Sequence, residues 1–150
     1  MTYRYEECGL GNVILLNGFA RHATVYGETI AVDDVEGLHE IIAASLVRQA
    51  APLNGAELRF LRRELEVSQK SLAQMIGVEE QALARWEKAR DRDISGMADR
   101  LVRLLYREHA EGSASLRDMI ARLAATEASR HRDLRLMESG GRWVVEKEAA

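Results

Sequence analysis

The stretch 68–87 constrains the fold of this chain more than any other, because it predicts two short helices joined by a tight turn. The first helix is expected over Gln69–Ile76 and the second over 80–90. Gly77 lies between them, and a glycine ends a helix by adopting a positive φ at no steric cost. Ala73 is small at the point where the second helix must cross the first at close range. The chain is therefore expected to contain a compact pair of helices.

The second helix of this pair has two different sides. Leu83 and Trp86 are apolar and are predicted to pack on the domain interior. The other positions are predicted to stay exposed, and they are Glu80, Gln81, Ala84, Arg85 and Lys88. A helix that presents its N-terminal residues outward suits the major groove of DNA. A helical hairpin without any DNA role has the same outline and is the alternative.

This stretch also resembles a known family. Seven positions carry the resemblance, and they are Gln69, Ala73, Gly77, Val78, Leu83, Trp86 and Glu87. At this spacing they are similar to the helix-turn-helix of the XRE (lambda Cro-like) family of transcriptional regulators. The resemblance implies that the first helix lies over the DNA backbone, with Gln69 and Lys70 on phosphates, and that the second helix reads bases.

The base contacts that the resemblance implies are those of Glu80, Gln81, Ala84 and Arg85. Glutamine bonds adenine, arginine bonds guanine and glutamate accepts from cytosine, each pair being worth about 1–3 kcal/mol of discrimination. Gln81 and Arg85 are therefore expected to specify the sequence. Lys88 completes the exposed side of the helix, and Arg90 is expected to add a phosphate contact that helps to set the register.

Position 79 departs from the pattern of the family, which often has a Ser or Thr cap there. Glu79 stands there and is followed by Glu80, and the carboxylate of Glu79 still interacts favourably with the dipole of the helix. Near phosphates, however, the two negative charges lower affinity. We therefore expect DNA binding to depend on accurate docking and to fall steeply with salt.

Further amphipathic segments surround the pair and make the expected fold mainly α. One proline, 21 alanines and 18 leucines in 150 residues favour helix. Asn54 and Glu57 form a capping-box pattern at the start of another helix. Two more helices are predicted over Met97–His109 and Ser115–Ser129, so residues 55–129 are expected to form a five-helix domain of the XRE type. The inward positions predicted before Ser115 are Leu58, Leu61, Leu65, Leu101, Leu104 and Leu105.

Residues 1–49 are predicted to form a small N-terminal β/α unit. Asn12–Gly18 is a short apolar run that ends in a turn signal, and the segments 22–26 and 28–32 form a hairpin or two edge strands. A helix is predicted over Val35–Arg48, because Asp33 and Asp34 are good N-cap residues just before it. Its inner side is expected to contain Leu38, Ile41, Ile42 and either Ser45 or Leu46.

Two shorter segments complete the chain. Residues 50–54 include the only proline, Pro52, and are predicted to be a linker. Residues 130–150 are predicted to form a C-terminal β-hairpin and tail, with the turn at Ser139-Gly140-Gly141.

The order of these parts resembles that of a second family. The N-terminal positions that carry this resemblance are Tyr3, Tyr5, Cys8, Gly9, Leu10, Asn12, Val13, Tyr26, Gly27 and Glu28. With the helix, linker and helix-turn-helix that follow, they look like the MqsA (YgiT-type) antitoxins, in which a zinc-binding β-unit precedes the operator-binding domain. Tyr26 stands where that family has a cysteine and only Cys8 is kept, so the zinc site is expected to be lost. The resemblance implies an antitoxin that neutralises a protein toxin through residues 1–48.

Other function classes find no support in the sequence. No catalytic triad, carboxylate pair or phosphate loop stands out, so we expect neither an enzyme nor a cofactor. Four scattered histidines and one cysteine lack ligand spacing, so no metal site is expected. The longest uncharged run, Cys8–Ala20, is 13 residues long, whereas a membrane span takes about 18. Glu6 and Glu7 argue against a secretory signal, and the expected location is the cytoplasm.

The charges divide the chain into parts with different tasks. The formal net charge of −3 argues against bulk coating of nucleic acid. Residues 1–54 carry 3 basic and 7 acidic side chains, whereas residues 55–110 carry 11 basic and 10 acidic ones. The acidic N-terminal part is therefore a candidate for protein contacts.

Together these features predict a sequence-specific transcriptional regulator, an autorepressor that binds double-stranded DNA. A homodimer on a palindromic operator is expected, because one recognition helix reads only a few base pairs. The acidic N-terminal part or either terminal element is expected to supply the dimer interface. The alternatives are the antitoxin with its protein toxin, and an interaction scaffold that does not bind DNA.

Overall fold

The structure is a computed structural model that describes residues 1–112, Asp118 and residues 133–146. This part of the chain is mainly α, as predicted, with five helices and three pairs of short antiparallel strands. The helix predicted over Ser115–Ser129 lies outside the described residues, apart from Asp118, which is helical.

The helices are α1 (Val35–Arg48), α2 (Gly55–Glu64), α3 (Gln69–Ile76), α4 (Glu80–Lys88) and α5 (Gly96–Ala110). The strands are β1 (Tyr3–Arg4), β2 (Ile14–Leu15), β3 (Phe19–Thr24), β4 (Gly27–Val32), β5 (Leu136–Ser139) and β6 (Arg142–Val145). β1 pairs with β2, β3 with β4 and β5 with β6. The predicted ends of the described helices agree with these bounds to within about two residues.

The N-terminal strands differ in length from the predicted ones. The strand predicted over Asn12–Gly18 is limited to β2, because only these two residues pair with β1. The hairpin is longer than predicted, since β3 begins at Phe19 and all six of its residues pair with β4. Tyr5, Leu10 and Leu15 are buried and belong to the same hydrophobic core as the helices.

α1 begins at a cap and contacts the core along one narrow side. The side chain of Asp34 accepts a hydrogen bond from the Gly37 amide at 3.1 Å. The buried residues of α1 are Ile42, Ala43 and Leu46. The prediction that Ile41 faces inward is wrong, because this side chain is 67% exposed. Ile41 lies about 100° around the helix from the buried Ile42.

α2 begins with the capping box that the sequence predicts. Asn54 Oδ1 accepts from the Glu57 amide, and Glu57 Oε1 accepts from the Asn54 amide, both at 2.9 Å. Gly55, the first helical residue, lies against the end of α4. A Cβ at position 55 would be 1.8 Å from the carbonyl oxygen of Trp86, so only glycine allows the two helices to approach so closely.

Four of the six leucines predicted to face inward from α2 and α5 are buried. Leu58, Leu61, Leu65 and Leu105 belong to the core, and Leu101 is partly buried. The prediction for Leu104 is wrong, since its side chain is 47% exposed. The core side of α5 is centred instead on Val102, Leu105 and Tyr106.

The segment 50–54 is fixed on α5. Leu53 is fully buried, and its amide donates to Asp99 Oδ2 at 3.0 Å. Arg103 forms an ion pair with Asp99 on the same helix. It also donates to the carbonyls of Gln49 and Ala51, at 2.6 and 2.7 Å. The N-terminal unit and the helices that follow therefore share one core.

The C-terminal hairpin is present where the sequence predicts it. Gly140 and Gly141 lie between β5 and β6 and have φ values of 60° and 80°. A two-residue hairpin turn of this kind requires positive φ at both positions, which glycine supplies.

Candidate nucleic-acid interface

The turn between α3 and α4 has the local geometry that the sequence predicts. The Ser68 hydroxyl accepts a hydrogen bond from the Ser71 amide at 3.0 Å and caps α3. Gly77 ends α3 with a φ of 73°. The Val78 amide then donates to the Ala73 carbonyl at 3.0 Å. Because Ala73 is small and buried, α3 and α4 pack directly on each other.

α4 is anchored on one side and open on the other. Leu83 is fully buried, and Trp86 packs against the core as a partly buried side chain. Of the residues predicted to meet DNA, Glu80, Gln81, Arg85 and Lys88 are exposed and Ala84 is half-buried. Gln81, Ala84, Arg85 and Lys88 follow the spacing of one helix side. We call these four residues the outer face of α4.

The start of α4 lacks a side-chain cap. Glu79 occupies the N-cap position, but its side chain makes no capping hydrogen bond. Glu80 follows in the first turn and is exposed. Both carboxylates lie near the positive end of the helix dipole, which favours them. They also place negative charge beside the outer face of α4.

The two residues predicted to contact phosphates from α3 have different surroundings. Lys70 is exposed in the first turn of the helix. Gln69 is half-buried, and its Nε2 donates to Glu87 Oε1 at 3.3 Å. An amide nitrogen carries two hydrogens, so the second one remains available to a ligand. The backbone amides of a helix start also favour an anion.

A buried ion pair that the sequence reasoning missed holds these helices together. Glu87 accepts from Arg62 Nε at 2.8 Å and from Arg62 Nη2 at 2.9 Å. Arg62 Nη1 also donates to the carbonyl of Val67 at 3.1 Å. One signal for it was present in the sequence. Glu87 lies four residues after the inward Leu83, and a carboxylate on a buried side requires a cation.

Arg90 lies apart from the outer face of α4. The helix predicted over 80–90 ends at Lys88, because Ala89 leaves the helical conformation with φ −85° and ψ 66°. Arg90 is exposed, and its Nη2 donates to the carbonyl of Gly9 at 2.5 Å. It thereby joins the end of α4 to the N-terminal unit.

A second polar link joins the N-terminal unit to the helices. The hydroxyl of Tyr5 lies 2.9 Å from Nε2 of His39, and Nδ1 of His39 lies 2.9 Å from Glu64 Oε1. Since a carboxylate only accepts, Nδ1 of His39 donates to Glu64. Burial raises the pKa of Tyr5, and the negative charges that Cys8, Glu7 and Glu64 carry when ionised raise it further.

The single cysteine lies beside this link. Cys8 is half-buried, its thiol lies 3.5 Å from the Tyr5 carbonyl oxygen, and burial raises its pKa. A raised pKa lowers the thiolate fraction at neutral pH, and the thiolate is the reactive and metal-binding form. Within the described residues, no group of three or more His, Cys, Asp or Glu side chains is placed to hold a metal ion.

Two further findings bear on the class of protein. In the part of the chain that the structure describes, none of the helices combines the length and apolar character that a membrane crossing requires. Comparison of the sequence with protein-family models, with curated proteins and with solved structures gives no match.

Proposed function

We propose that this chain is a sequence-specific DNA-binding transcriptional regulator of the cytoplasm, in which α3 and α4 form a helix-turn-helix of the XRE type. The observation that carries the proposal is the one-sided environment of α4. Leu83 and Glu87 are buried, whereas Gln81, Arg85 and Lys88 are exposed on the outer face. A helix fixed from behind with polar side chains in front suits the major groove.

The outer face supplies the chemistry of base recognition. Arg85 is suited to the two acceptors of guanine and Gln81 to the donor and acceptor of adenine. Ala84 lies between them and suits the methyl group of thymine, while the exposed Glu80 can accept from cytosine. Arg85 and Gln81 are four residues apart, so they reach neighbouring base pairs from adjacent turns of the helix.

The flanking positions supply contacts to the backbone. Lys70 and the free amide hydrogen of Gln69 lie at the start of α3, and Lys88 lies at the end of α4. Arg90 joins this set through the donors that its bond to Gly9 leaves free. Such contacts set the register on the duplex and make affinity dependent on salt.

A homodimer on a palindromic operator completes the proposal. Helix α4 has nine residues, and one such helix reads only a few base pairs. Two copies that bind half-sites about 34–36 Å apart present both helices to the same side of the duplex. An operator next to its own gene would make the protein an autorepressor.

The experiment that tests this proposal measures binding to the DNA just upstream of the gene and to scrambled DNA. Fluorescence anisotropy is recorded between about 50 and 200 mM salt, where phosphate contacts show their effect. Tight, salt-sensitive binding with a preference for the upstream DNA is expected. Equally weak binding to both duplexes would contradict the proposal.

Arg85→Ala tests the base contact directly. We expect the preference for the upstream DNA over scrambled DNA to fall by about 1–3 kcal/mol, because one bidentate contact is lost. Arg100→Ala is the matched control, since Arg100 is an exposed arginine on α5 and does not belong to the outer face of α4. An unchanged preference in Arg85→Ala would remove this residue from the set that specifies sequence.

An antitoxin is the second candidate function, and the β3–β4 hairpin favours it. Val25 and Tyr26 at the hairpin tip are 98% and 100% exposed, and exposed apolar side chains on a projecting tip suit a protein contact. The acidic N-terminal unit suits a basic partner. Copurification with a toxic protein encoded next to this gene would support the antitoxin function. Absence of copurification would leave the transcriptional regulator as the one proposed function.

A further inference from the structure

An arginine outside the predicted contact set lies at the edge of the outer face of α4. Arg59 is exposed on α2 and lines a cleft of about 250 Å³. We call this the basic cleft, and its lining residues are Arg59, Arg62, Gln69, Ala84, Glu87 and Lys88. Ala84 and Lys88 belong to the outer face, so a duplex on that face passes over the basic cleft.

The charges that line the basic cleft leave it positive. Glu87 is the one carboxylate among these lining residues, and Arg62 compensates its charge through two hydrogen bonds. Arg59 and Lys88 form no ion pair with any residue that the structure describes. The basic cleft therefore presents two uncompensated cations to solvent, with the amide of Gln69 close by.

A larger neighbouring cavity provides a contrast. It has a volume of about 430 Å³, and Arg59 and Arg63 line it together with Glu6 and Glu7 of the N-terminal unit. These carboxylates disfavour an anion in the larger cavity. Arg63 lies one helical turn after Arg59 and lines the larger cavity but not the basic cleft.

We infer that the basic cleft holds one phosphate of the DNA backbone, with Arg59 and Lys88 as its cationic ligands and the Gln69 amide as a third donor. The inference rests on the proposed function, because it requires a duplex on the outer face of α4. The fork of donors on Arg59 matches the geometry of a phosphate. A phosphate held there fixes the distance between α2 and the groove that α4 enters.

Arg59→Ala and its matched control Arg63→Ala test the inference. Both residues are exposed arginines on α2, so circular dichroism should give the same helix content for both variants. With the upstream and scrambled DNA described above, Arg59→Ala should weaken binding to both duplexes by the same factor. It should also reduce the slope of log K against log salt by about 1, whereas Arg63→Ala should leave this slope unchanged.

Each other outcome has a distinct meaning. An unchanged salt slope in Arg59→Ala, with normal DNA binding by the unaltered protein, overturns the inference and leaves the proposed function standing. An equal loss of slope in both variants overturns it as well, because it indicates attraction by overall charge instead of a defined phosphate site. Absence of DNA binding by the unaltered protein overturns both the inference and the proposed function.

Discussion

The carboxylate of Glu87 receives hydrogen bonds from two other helices. Arg62 on α2 donates twice and Gln69 on α3 donates once, and only 6% of Glu87 is exposed. A buried carboxylate is costly unless a cation and further donors compensate it, and here both do. The pair thereby fixes how α4 lies on α2 and α3, which sets the direction of the outer face of α4.

Glu87→Gln should lower the free energy of unfolding by about 3 kcal/mol, because Arg62 would keep its charge in a mostly buried place without a counter-ion. Urea denaturation followed by circular dichroism measures this loss. Glu111→Gln is the control, since it breaks the exposed pair with Arg107 and should change stability by less than about 0.5 kcal/mol. Similar losses in the two variants would show that the buried pair has no special role.

Single residues were predictable from the sequence where local periodicity decides their place. Leu83 is buried as predicted because it lies on the apolar side of α4, and Ala73 is buried because α4 packs on α3 at this small residue. The Arg62–Glu87 pair joins residues 25 positions apart, and no local pattern specifies such a partner. Ile41 shows a further limit of the sequence. When an apolar residue lies next to the buried side of a helix, no local pattern tells whether it is exposed or belongs to the core.

The contact between α2 and α4 depends on one helix start. Gly55 is the first residue of α2, and its amide donates to the Arg92 carbonyl at 3.1 Å. Ala56 donates to the Arg90 carbonyl at the same distance. The start of α2 is thus bonded to the chain that follows α4, and the absence of a side chain at position 55 permits it.

Gly55→Ala should destabilise the protein by at least about 1–3 kcal/mol, because its Cβ would lie 1.8 Å from the Trp86 carbonyl oxygen and the backbone would have to move. Gly96→Ala is the matched control. Gly96 is also the first residue of a helix, α5, and a Cβ there meets nothing within 4 Å. This second change should be neutral or stabilise by up to about 1 kcal/mol. Thermal unfolding of both variants measures the difference, and a stable Gly55→Ala protein would contradict the close approach.

Elements with caps were predictable and the short strands were not. Asn54, Ser68 and Gly77 mark helix ends because their side chains or backbone conformations satisfy the terminal amides and carbonyls. β2 has two residues, and its length depends on how much of β1 lies opposite it. The sequence of β2 alone contains no signal for that length.

At the scale of the whole molecule, the sequence predicts a separate N-terminal unit and a linker. It does not predict the contacts that these two parts make with the helices that follow them. The fully buried Leu53 lies within that predicted linker, and Arg103 holds the carbonyl groups that precede it. Arg90 then donates to the carbonyl of Gly9, and His39 on α1 bonds Glu64 on α2. These links join distant parts of the chain, so only the assembled fold reveals that the N-terminal unit is fixed to α2, to α5 and to the chain after α4.

Tyr5 makes this fixed arrangement dependent on pH. Burial raises the pKa of Tyr5 above its ordinary value of 10.0, so the folded protein holds this proton more tightly than the unfolded chain does. The contribution of Tyr5 to stability is therefore complete below about pH 10 and is lost as the pH rises through the folded pKa. The physical reason is direct, because an ionised Tyr5 would be a buried negative charge that lies near other negative charges, including Glu64.

Tyr5→Phe keeps the ring and removes the ionisable hydroxyl. At about pH 8 this substitution should lower the free energy of unfolding by about 1 kcal/mol, the value of one hydrogen bond. Between about pH 8 and about pH 10.5, the free energy of unfolding should then fall less in Tyr5→Phe than in the unaltered protein. Urea denaturation at the two pH values measures both effects, and Tyr26→Phe, at a fully exposed tyrosine, is the control that should behave like the unaltered protein. If Tyr5→Phe and the unaltered protein lose the same stability at high pH, ionisation of Tyr5 is not a cause of that loss.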